Sequence, residues 1–138
     1  RSFAFNSDMQ EISVTLSGSR AADAVTQVLY DIPPGSYATD LGNSLNTFSK
    51  KFMDAVDGRT TVVILGDGRN YYDSPRLDLM KDLQRRAKRL VWFNPESQRQ
   101  WGTGDSDMLE YYPVCDSVSV VRNLAQLATA VDRLLADS

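Results

Sequence analysis

The chain has 138 residues, 42% hydrophobic and 24% charged, a composition typical of one folded domain with a substantial core. Its formal charge of -3 does not favour the phosphate backbone of a nucleic acid, so we expect no nucleic-acid partner. Histidine is absent and Cys115 is the only cysteine, which excludes internal disulfides, structural zinc sites and His-based triads. We expect a soluble protein, because no apolar run approaches the roughly 20 residues that a membrane span needs. The cysteine usage makes a reducing compartment the default.

The first part of the chain predicts an antiparallel hairpin and two helices. Strands are expected at 1–5 and 11–16, where polar, turn-forming residues join two short apolar segments. Ser19 is predicted to begin a helix that Pro33-Pro34-Gly35 ends. A second helix is predicted at about 41–56, because apolar residues recur there at intervals of three and four.

The remaining part alternates strands with helices. The predicted elements are the strand 61–65, the helix 74–87 with Ser74 as its cap, the strand 90–93, a helical turn at 107–111, the strand 117–121 and a helix that begins at Asn123. The last helix is expected to bury Leu124, Leu127, Val131 and Leu134. This alternation predicts an α/β fold: a doubly wound, mostly parallel sheet with an N-terminal antiparallel hairpin, in one domain spanning 1–138.

Two loops should meet at the carboxyl edge of this sheet, where open α/β folds bind ligands. Thr39 offers a hydroxyl before the second helix, and Asp67 offers a carboxylate directly after the strand 61–65. Mg²⁺ prefers oxygen ligands and retains waters, so these two side chains are half of a cation site. The alternative is structural: Thr39 caps the helix that begins at Asp40, and Asp67 supports a turn.

The segment after Asp67 is a candidate partner surface. Arginine and tyrosine are enriched in binding hot spots, and the predicted partner contacts are Arg69, Asn70, Tyr71 and Tyr72. Loop tyrosines without a binding role are the alternative. The acids Asp105, Asp107 and Glu110 are expected to favour the start of the nearby helical turn rather than to form a second cation site.

Four segments together resemble the C-terminal part of von Willebrand factor type A domains of the CoxE-like group. They are 61–72, Arg-Leu-Val-Trp-Phe-Asn-Pro at 89–95, Trp-Gly-Thr-Gly-Asp-Ser-Asp-Met at 101–108, and 115–127. In this family a metal-ion-dependent adhesion site (MIDAS) combines an Asp-x-Ser-x-Ser loop, a threonine from a second loop and an aspartate from a third. By motif, Thr39 resembles the threonine and Asp67 the aspartate, although Tyr37-Ala38 stand where small glycines are common.

The resemblance implies a partial domain. No Asp-x-Ser-x-Ser occurs in the sequence, so the chain would lack the family's first strand, which is central in its sheet, and most of the metal ligands. Two neighbouring strands would then expose free edges, and we expect a homodimer, a swapped sheet or an altered strand order. A Mg²⁺ or Mn²⁺ ion is implied for the intact domain, and none for a chain without the first loop.

The resemblance implies a binding module with chaperone-like activity rather than an enzyme. The family's cation completes its coordination with a carboxylate from a protein partner. CoxE-like proteins are associated with MoxR-type AAA+ ATPases and with maturation of metalloenzymes such as carbon monoxide dehydrogenase, in the bacterial cytoplasm. A competing hypothesis is a metal-dependent hydrolase or phosphotransferase of doubly wound fold that uses Asp67 as ligand or nucleophile. A third is a purely structural domain whose site has lapsed.

Overall fold

The computed structural model of the chain describes residues 1–5, 9–13 and 39–137. Its strands are β1 (Phe3–Phe5), β2 (Met9–Glu11), β3 (Thr61–Leu65), β4 (Arg89–Asn94) and β5 (Ser117–Val120). Its α-helices are α1 (Leu41–Lys51), α2 (Leu77–Arg86), α3 (Met108–Tyr111) and α4 (Leu124–Ala136). The helix predicted from Ser19 and the pair Tyr37-Ala38 lie outside the described residues. In these ranges no helix is both long and apolar enough to cross a membrane.

The N-terminal hairpin is confirmed, but its second strand begins earlier than predicted. β1 pairs antiparallel with β2, with Phe3 opposite Glu11 and Phe5 opposite Met9. This register puts Phe3, Phe5 and Met9 against the main core, where Phe3 contacts the ring of Phe48 edge-on at 5.1 Å between centroids. The apolar face therefore selects the register, and β2 lies at Met9–Glu11 instead of 11–16.

The predicted parallel sheet is also confirmed, in the order β3-β4-β5. Ile64 and Trp92 point to one face, where they pack with apolar side chains of α1 and α2. Val91 and Phe93 point to the other face and pack beneath α4. Helices thus pack on both faces of the sheet, which is the doubly wound arrangement that the alternation of elements predicted. On the face of α4, Val63 and Leu65 of β3 stay exposed.

The start of α1 differs from one reading of the sequence. Asp40 is the N-cap, and its Oδ1 accepts a hydrogen bond from the Asn43 amide at 2.9 Å. The alternative in which Thr39 caps this helix is therefore wrong. The helix ends at Lys51 instead of continuing to Val56, and a 3₁₀ turn over Met53–Ala55 follows it.

The start of α2 also differs from the prediction. Its N-cap is Arg76, in a left-handed conformation, and not Ser74. The carbonyl oxygen of Pro75 accepts a hydrogen bond from the Tyr111 hydroxyl at 2.8 Å, which keeps Ser74 and Pro75 in the preceding loop. The capping prediction failed because a contact from a distant helix overrides the local preference.

Helix α4 begins as predicted but presents a different face to the sheet. Asn123 caps it by accepting a hydrogen bond from the Gln126 amide at 2.9 Å. The side chains that pack on Val91, Phe93 and Val121 are Leu127, Ala130 and Leu134. The prediction that Leu124 is buried is wrong, because this contact turns Leu124 outward and leaves it 82% exposed. Val131 also lies on the outer side of the helix.

A cavity of about 870 Å³, hereafter the slot, separates the hairpin from the parallel sheet. Arg1 to Phe5 line one part of the slot, and Thr60 to Leu65 line another. In the described part of the chain, β1 pairs only with β2 and β3 only with β4, so each has a second edge without a partner strand. The slot therefore lies beside two strands that could each accept a further strand.

Candidate functional site

The loop after β3 carries Asp67 and is held rigidly by its neighbours. Three donors bind three consecutive carbonyl oxygens of this loop. They are Trp92 Nε1 to Gly66 (2.8 Å), Asn94 Nδ2 to Asp67 (3.2 Å) and the Asp107 amide to Gly68 (2.8 Å). Gly68 has φ of +78°, and a Cβ there would lie 3.2 Å from Met108 Sδ, so a larger residue would strain the loop. Asp67 thus lies at a preorganised position at the carboxyl end of β3.

Within the described part of the chain, the carboxylate of Asp67 makes one hydrogen bond. Oδ1 accepts a hydrogen bond from the Arg69 amide at 3.0 Å, which forms the turn that the structural alternative predicted. Oδ2 accepts no hydrogen bond from the described part of the chain. A turn-forming role and a ligand role are therefore compatible, because they use different oxygens.

Thr39 and Asp67 border the same cavity. Both line the slot, together with Gly66, Gly68 and Arg69. The two side chains that the sequence singled out therefore line one cavity. Their hydroxyl and carboxylate oxygens are the donor types that Mg²⁺ and Mn²⁺ take, but two donors do not complete an octahedral site. In the described ranges no group of three or more acidic, histidine or cysteine residues is placed to hold a metal.

Arg69 binds inward, where it ties the Asp67 loop to the segment 96–105. Its guanidinium makes a two-pronged ion pair with Glu96, at 3.0 Å for both contacts. Nη1 also donates to Asp105 Oδ1 and to the Thr103 carbonyl oxygen, both at 2.9 Å. The two carboxylates raise the pKa of Arg69 further above its ordinary value, with Glu96 the larger cause. Arg69 therefore anchors the loop.

The four residues predicted as partner contacts divide into two pairs. Arg69 is engaged by the acids around it, and Asn70 is fully buried. Tyr71 and Tyr72 are 67% and 80% exposed. Only the tyrosines present side chains that a partner could reach without rearrangement.

Tyr71 and Tyr72 occupy a strained turn. Their φ angles are 51° and 63°, and the Asp73 amide donates to the Asn70 carbonyl oxygen at 3.0 Å, as in a type I′ turn. Asn and Gly dominate at such positions because other residues pay about 1–2 kcal/mol each for the left-handed conformation. Burial does not explain tyrosine here, since both rings face solvent.

The comparisons with known proteins identify the family. The family model described as "VWA domain containing CoxE-like protein" matches residues 1–130, which is nearly the whole chain. The chain belongs to the CoxE-like von Willebrand factor type A (VWA) family. Its antiparallel hairpin, parallel sheet and flanking helices are consistent with a VWA-like fold. No match was found among curated proteins or among solved structures.

Sequence reasoning missed the acids that support the site of this VWA domain. Asp105 accepts hydrogen bonds from Arg69 and from the Tyr71 amide, the latter at 3.0 Å. Asp107 accepts from the side chain of Asn70 at 2.8 Å. The expectation that these acids mainly favour a helix start did not foresee either contact. No local pattern signals them, because their partners lie more than 30 positions away along the chain.

The ion pair of Asp105 in this VWA domain predicts a pH-dependent contribution to stability. Hydrogen bonds from Arg69, and then from the Tyr71 amide, hold the pKa of Asp105 below its ordinary value. Because folding lowers the pKa of Asp105, the charged carboxylate stabilises the fold at pH values above the pKa that Asp105 has in the unfolded chain. This stabilisation is lost as the pH falls through the pKa of the folded state. Asp105→Asn is expected to lower the free energy of unfolding by about 1–2 kcal/mol near neutral pH.

Urea denaturation of the wild type and of Asp105→Asn, at about pH 7 and at about pH 3, measures the difference between their unfolding free energies. This difference should be smaller at the lower pH. Asp132→Asn, on the exposed side of α4, is the matched control. A loss of the same size at both pH values would show that the charge of Asp105 is not what stabilises the loop.

Proposed function

We propose that this VWA domain is a metal-dependent protein-binding module whose contact region is the carboxyl edge of the parallel sheet. The observation that carries the proposal is that Thr39 and Asp67, from two separate loops, border the cavity that runs along β3. Mg²⁺ or Mn²⁺ bound there would supply an electrophilic centre for a carboxylate of the partner. Asp67 would hold the ion through Oδ2 while Oδ1 keeps its turn contact with Arg69.

The slot is the proposed position of a strand that supplies the remaining metal ligands. A strand seated in it parallel to β3 would pair with the unpartnered edges of β1 and β3. The loop after such a strand would then reach the carboxyl edge, beside Thr39 and Asp67. We propose that this strand carries the Asp-x-Ser-x-Ser loop that the family resemblance implies. The 138-residue chain without that strand is then expected to bind metal weakly and to form homodimers through its free edges.

The exposed tyrosine pair is the proposed partner surface next to the cation. Tyrosine supplies a large contact area with few rotatable bonds, which suits a binding position. A strained turn that offers no packing gain is the pattern expected where function, and not stability, selects the residues. Tyr71 and Tyr72 lie directly beyond the loop that Asp67 begins, so a partner that ligates the cation would meet them.

The double variant Tyr71→Asn/Tyr72→Gly tests this surface. It is expected to raise the free energy of unfolding by about 1–2 kcal/mol, because Asn and Gly fit the turn. It should weaken partner binding by about tenfold or more, because two aromatic contacts are lost. Leu124→Ala is the control, since Leu124 is equally exposed but lies on α4. If the double variant binds the partner with the same affinity as the wild type, Tyr71 and Tyr72 do not contribute to the interface.

The proposed biological role is assistance to a MoxR-type AAA+ ATPase during maturation of a client metalloenzyme in the cytoplasm. Membership of the CoxE-like VWA family supports the association with a MoxR-type system. In this role the domain binds and does not turn over a substrate, so Asp67 acts as a ligand and no catalytic residue is assigned.

Affinity for the ATPase tests the proposal, measured with Mg²⁺ and with a chelator. The protein used is one that carries both this chain and the proposed Asp-x-Ser-x-Ser strand, hereafter the intact protein. Binding is expected to require the metal. Equal binding in the chelator would contradict an adhesion-type site. Phosphate release from model phosphoesters, measured on the VWA protein alone, addresses the hydrolase alternative. Phosphate release that disappears in Asp67→Ala would favour a hydrolase over a binding module.

A further inference from the structure

Asn70 connects the two loops that carry the proposed cation ligands. It lies three residues after Asp67, and its side chain is fully buried. Its Oδ1 accepts a hydrogen bond from the amide of Leu41 at 2.7 Å. Leu41 is the first residue of α1, two positions after Thr39. One side chain thus fixes the distance between the loop of Asp67 and the loop of Thr39.

The amide group of Asn70 is used on both of its sides. Nδ2 donates to Asp107 Oδ2 and to the hydroxyl of Tyr111, both at 2.8 Å. The Tyr111 hydroxyl donates in turn to the Pro75 carbonyl oxygen at 2.8 Å. Because the Leu41 amide can only donate, Oδ1 must face it, and the two Nδ2 protons must face the acceptors near α3. A carboxylate or an apolar side chain would leave part of this buried network unsatisfied.

We propose that Asn70 is a positioning residue that holds Thr39 in place relative to Asp67 for cation binding. The first amides of a helix have no intrahelical acceptor, so without Asn70 the buried Leu41 amide would lose this partner and the start of α1 would shift. Ligand positions must be held to about 0.5 Å for a productive site. The inference rests on the proposed cation site, but its structural part can be measured without metal.

Three variants separate positioning from general stability. Asn70→Ala removes the acceptor of the Leu41 amide. Tyr111→Phe damages the same buried network but leaves that acceptor in place. Val121→Ala weakens the core on the opposite face of the sheet. The two readouts are the Mn²⁺ affinity of the intact protein and, without metal, hydrogen exchange of the Leu41 amide.

Asn70→Ala is expected to lower Mn²⁺ affinity by about tenfold or more and to accelerate Leu41 exchange by about tenfold or more. Val121→Ala should leave both readouts within about twofold once exchange is corrected for global stability. Tyr111→Phe, which keeps the acceptor of the Leu41 amide, should change them less than Asn70→Ala does. If Asn70→Ala does not fold, the exchanged pair Asn70→Asp/Asp107→Asn replaces it, because a single Asn70→Asp would place two carboxylates 2.8 Å apart. The exchanged pair retains the acceptor, so the Leu41 amide should stay protected although residue 70 no longer donates.

Three results would overturn the proposal: unchanged Mn²⁺ affinity in Asn70→Ala, losses of affinity that follow stability in all variants, or rapid exchange of Leu41 in Asn70→Asp/Asp107→Asn. If the cation site itself does not exist, the wild type will show no Mn²⁺ affinity that depends on Asp67, and a role of Asn70 in cation binding is refuted with it. Hydrogen exchange of Leu41 would still show whether Asn70 holds the start of α1.

Discussion

Replacing Gly42 with alanine is expected to lower the free energy of unfolding by about 2–3 kcal/mol. Gly42 is buried in the first turn of α1. A methyl group there would overlap the main-chain carbonyl oxygen of Ser74 and would lie 3.1 Å from Arg76 Cγ. The first obstacle is backbone and not a flexible side chain, so α1 or the segment before α2 would have to move.

Gly58→Ala is the matched control for this prediction. A Cβ at Gly58 would have no atom within 4 Å, so its stability should stay within about 0.5 kcal/mol of the wild type. Urea denaturation of both variants gives the comparison. Equal stability of the two would mean that α1 and Ser74 do not pack as described. Because Thr39 lies two residues before α1, Gly42→Ala should also weaken Mn²⁺ binding.

Loss of the Asp67 carboxylate is expected to have the largest effect on function. Asp67→Ala should lower Mn²⁺ affinity by about a hundredfold or more, because a charged oxygen ligand disappears from the site. Asp67→Asn is the more informative variant. Its amide oxygen can still accept from the Arg69 amide, so the turn is retained while the charge is removed. Similar unfolding free energies for Asp67→Asn and the wild type would show that any loss of metal is not a loss of fold.

The parallel sheet and its site loop could be predicted from local sequence. The β-branched run that ends at Gly66-Asp67-Gly68 specifies a strand and a turn, and β3 has the predicted bounds. The position of Asp67 follows from that strand alone. Thr39 could be placed at the same edge because helices in such a fold run antiparallel to the strands and begin at the edge where the strands end.

The contacts that hold the site could not be predicted in this way. Arg69 with Glu96, and Asn70 with Leu41 and Tyr111, pair residues that only the folded chain brings together. These contacts also turn Arg69 and Asn70, two of the four predicted partner contacts, toward the interior. The same limit explains α2, whose start depends on the hydroxyl of Tyr111 and not on the capping preference of Ser74.

The orientation of α4 shows the same limit for packing. Its sequence offers leucine and valine on more than one side, so periodicity alone does not choose a face. The apolar surface formed by Val91, Phe93 and Val121 selects Leu127, Ala130 and Leu134. The helix itself was predictable, because Asn123 is a strong local cap.

Titration of Mn²⁺ into the intact wild-type protein and into Asp67→Asn, followed by the electron paramagnetic resonance signal of free Mn²⁺, tests the central claim most directly. A divalent-cation site at the carboxyl edge of the sheet predicts saturable uptake of Mn²⁺ by the wild type and little or none by Asp67→Asn. Equal uptake by both proteins, or no uptake by either, would contradict a cation site built on Asp67.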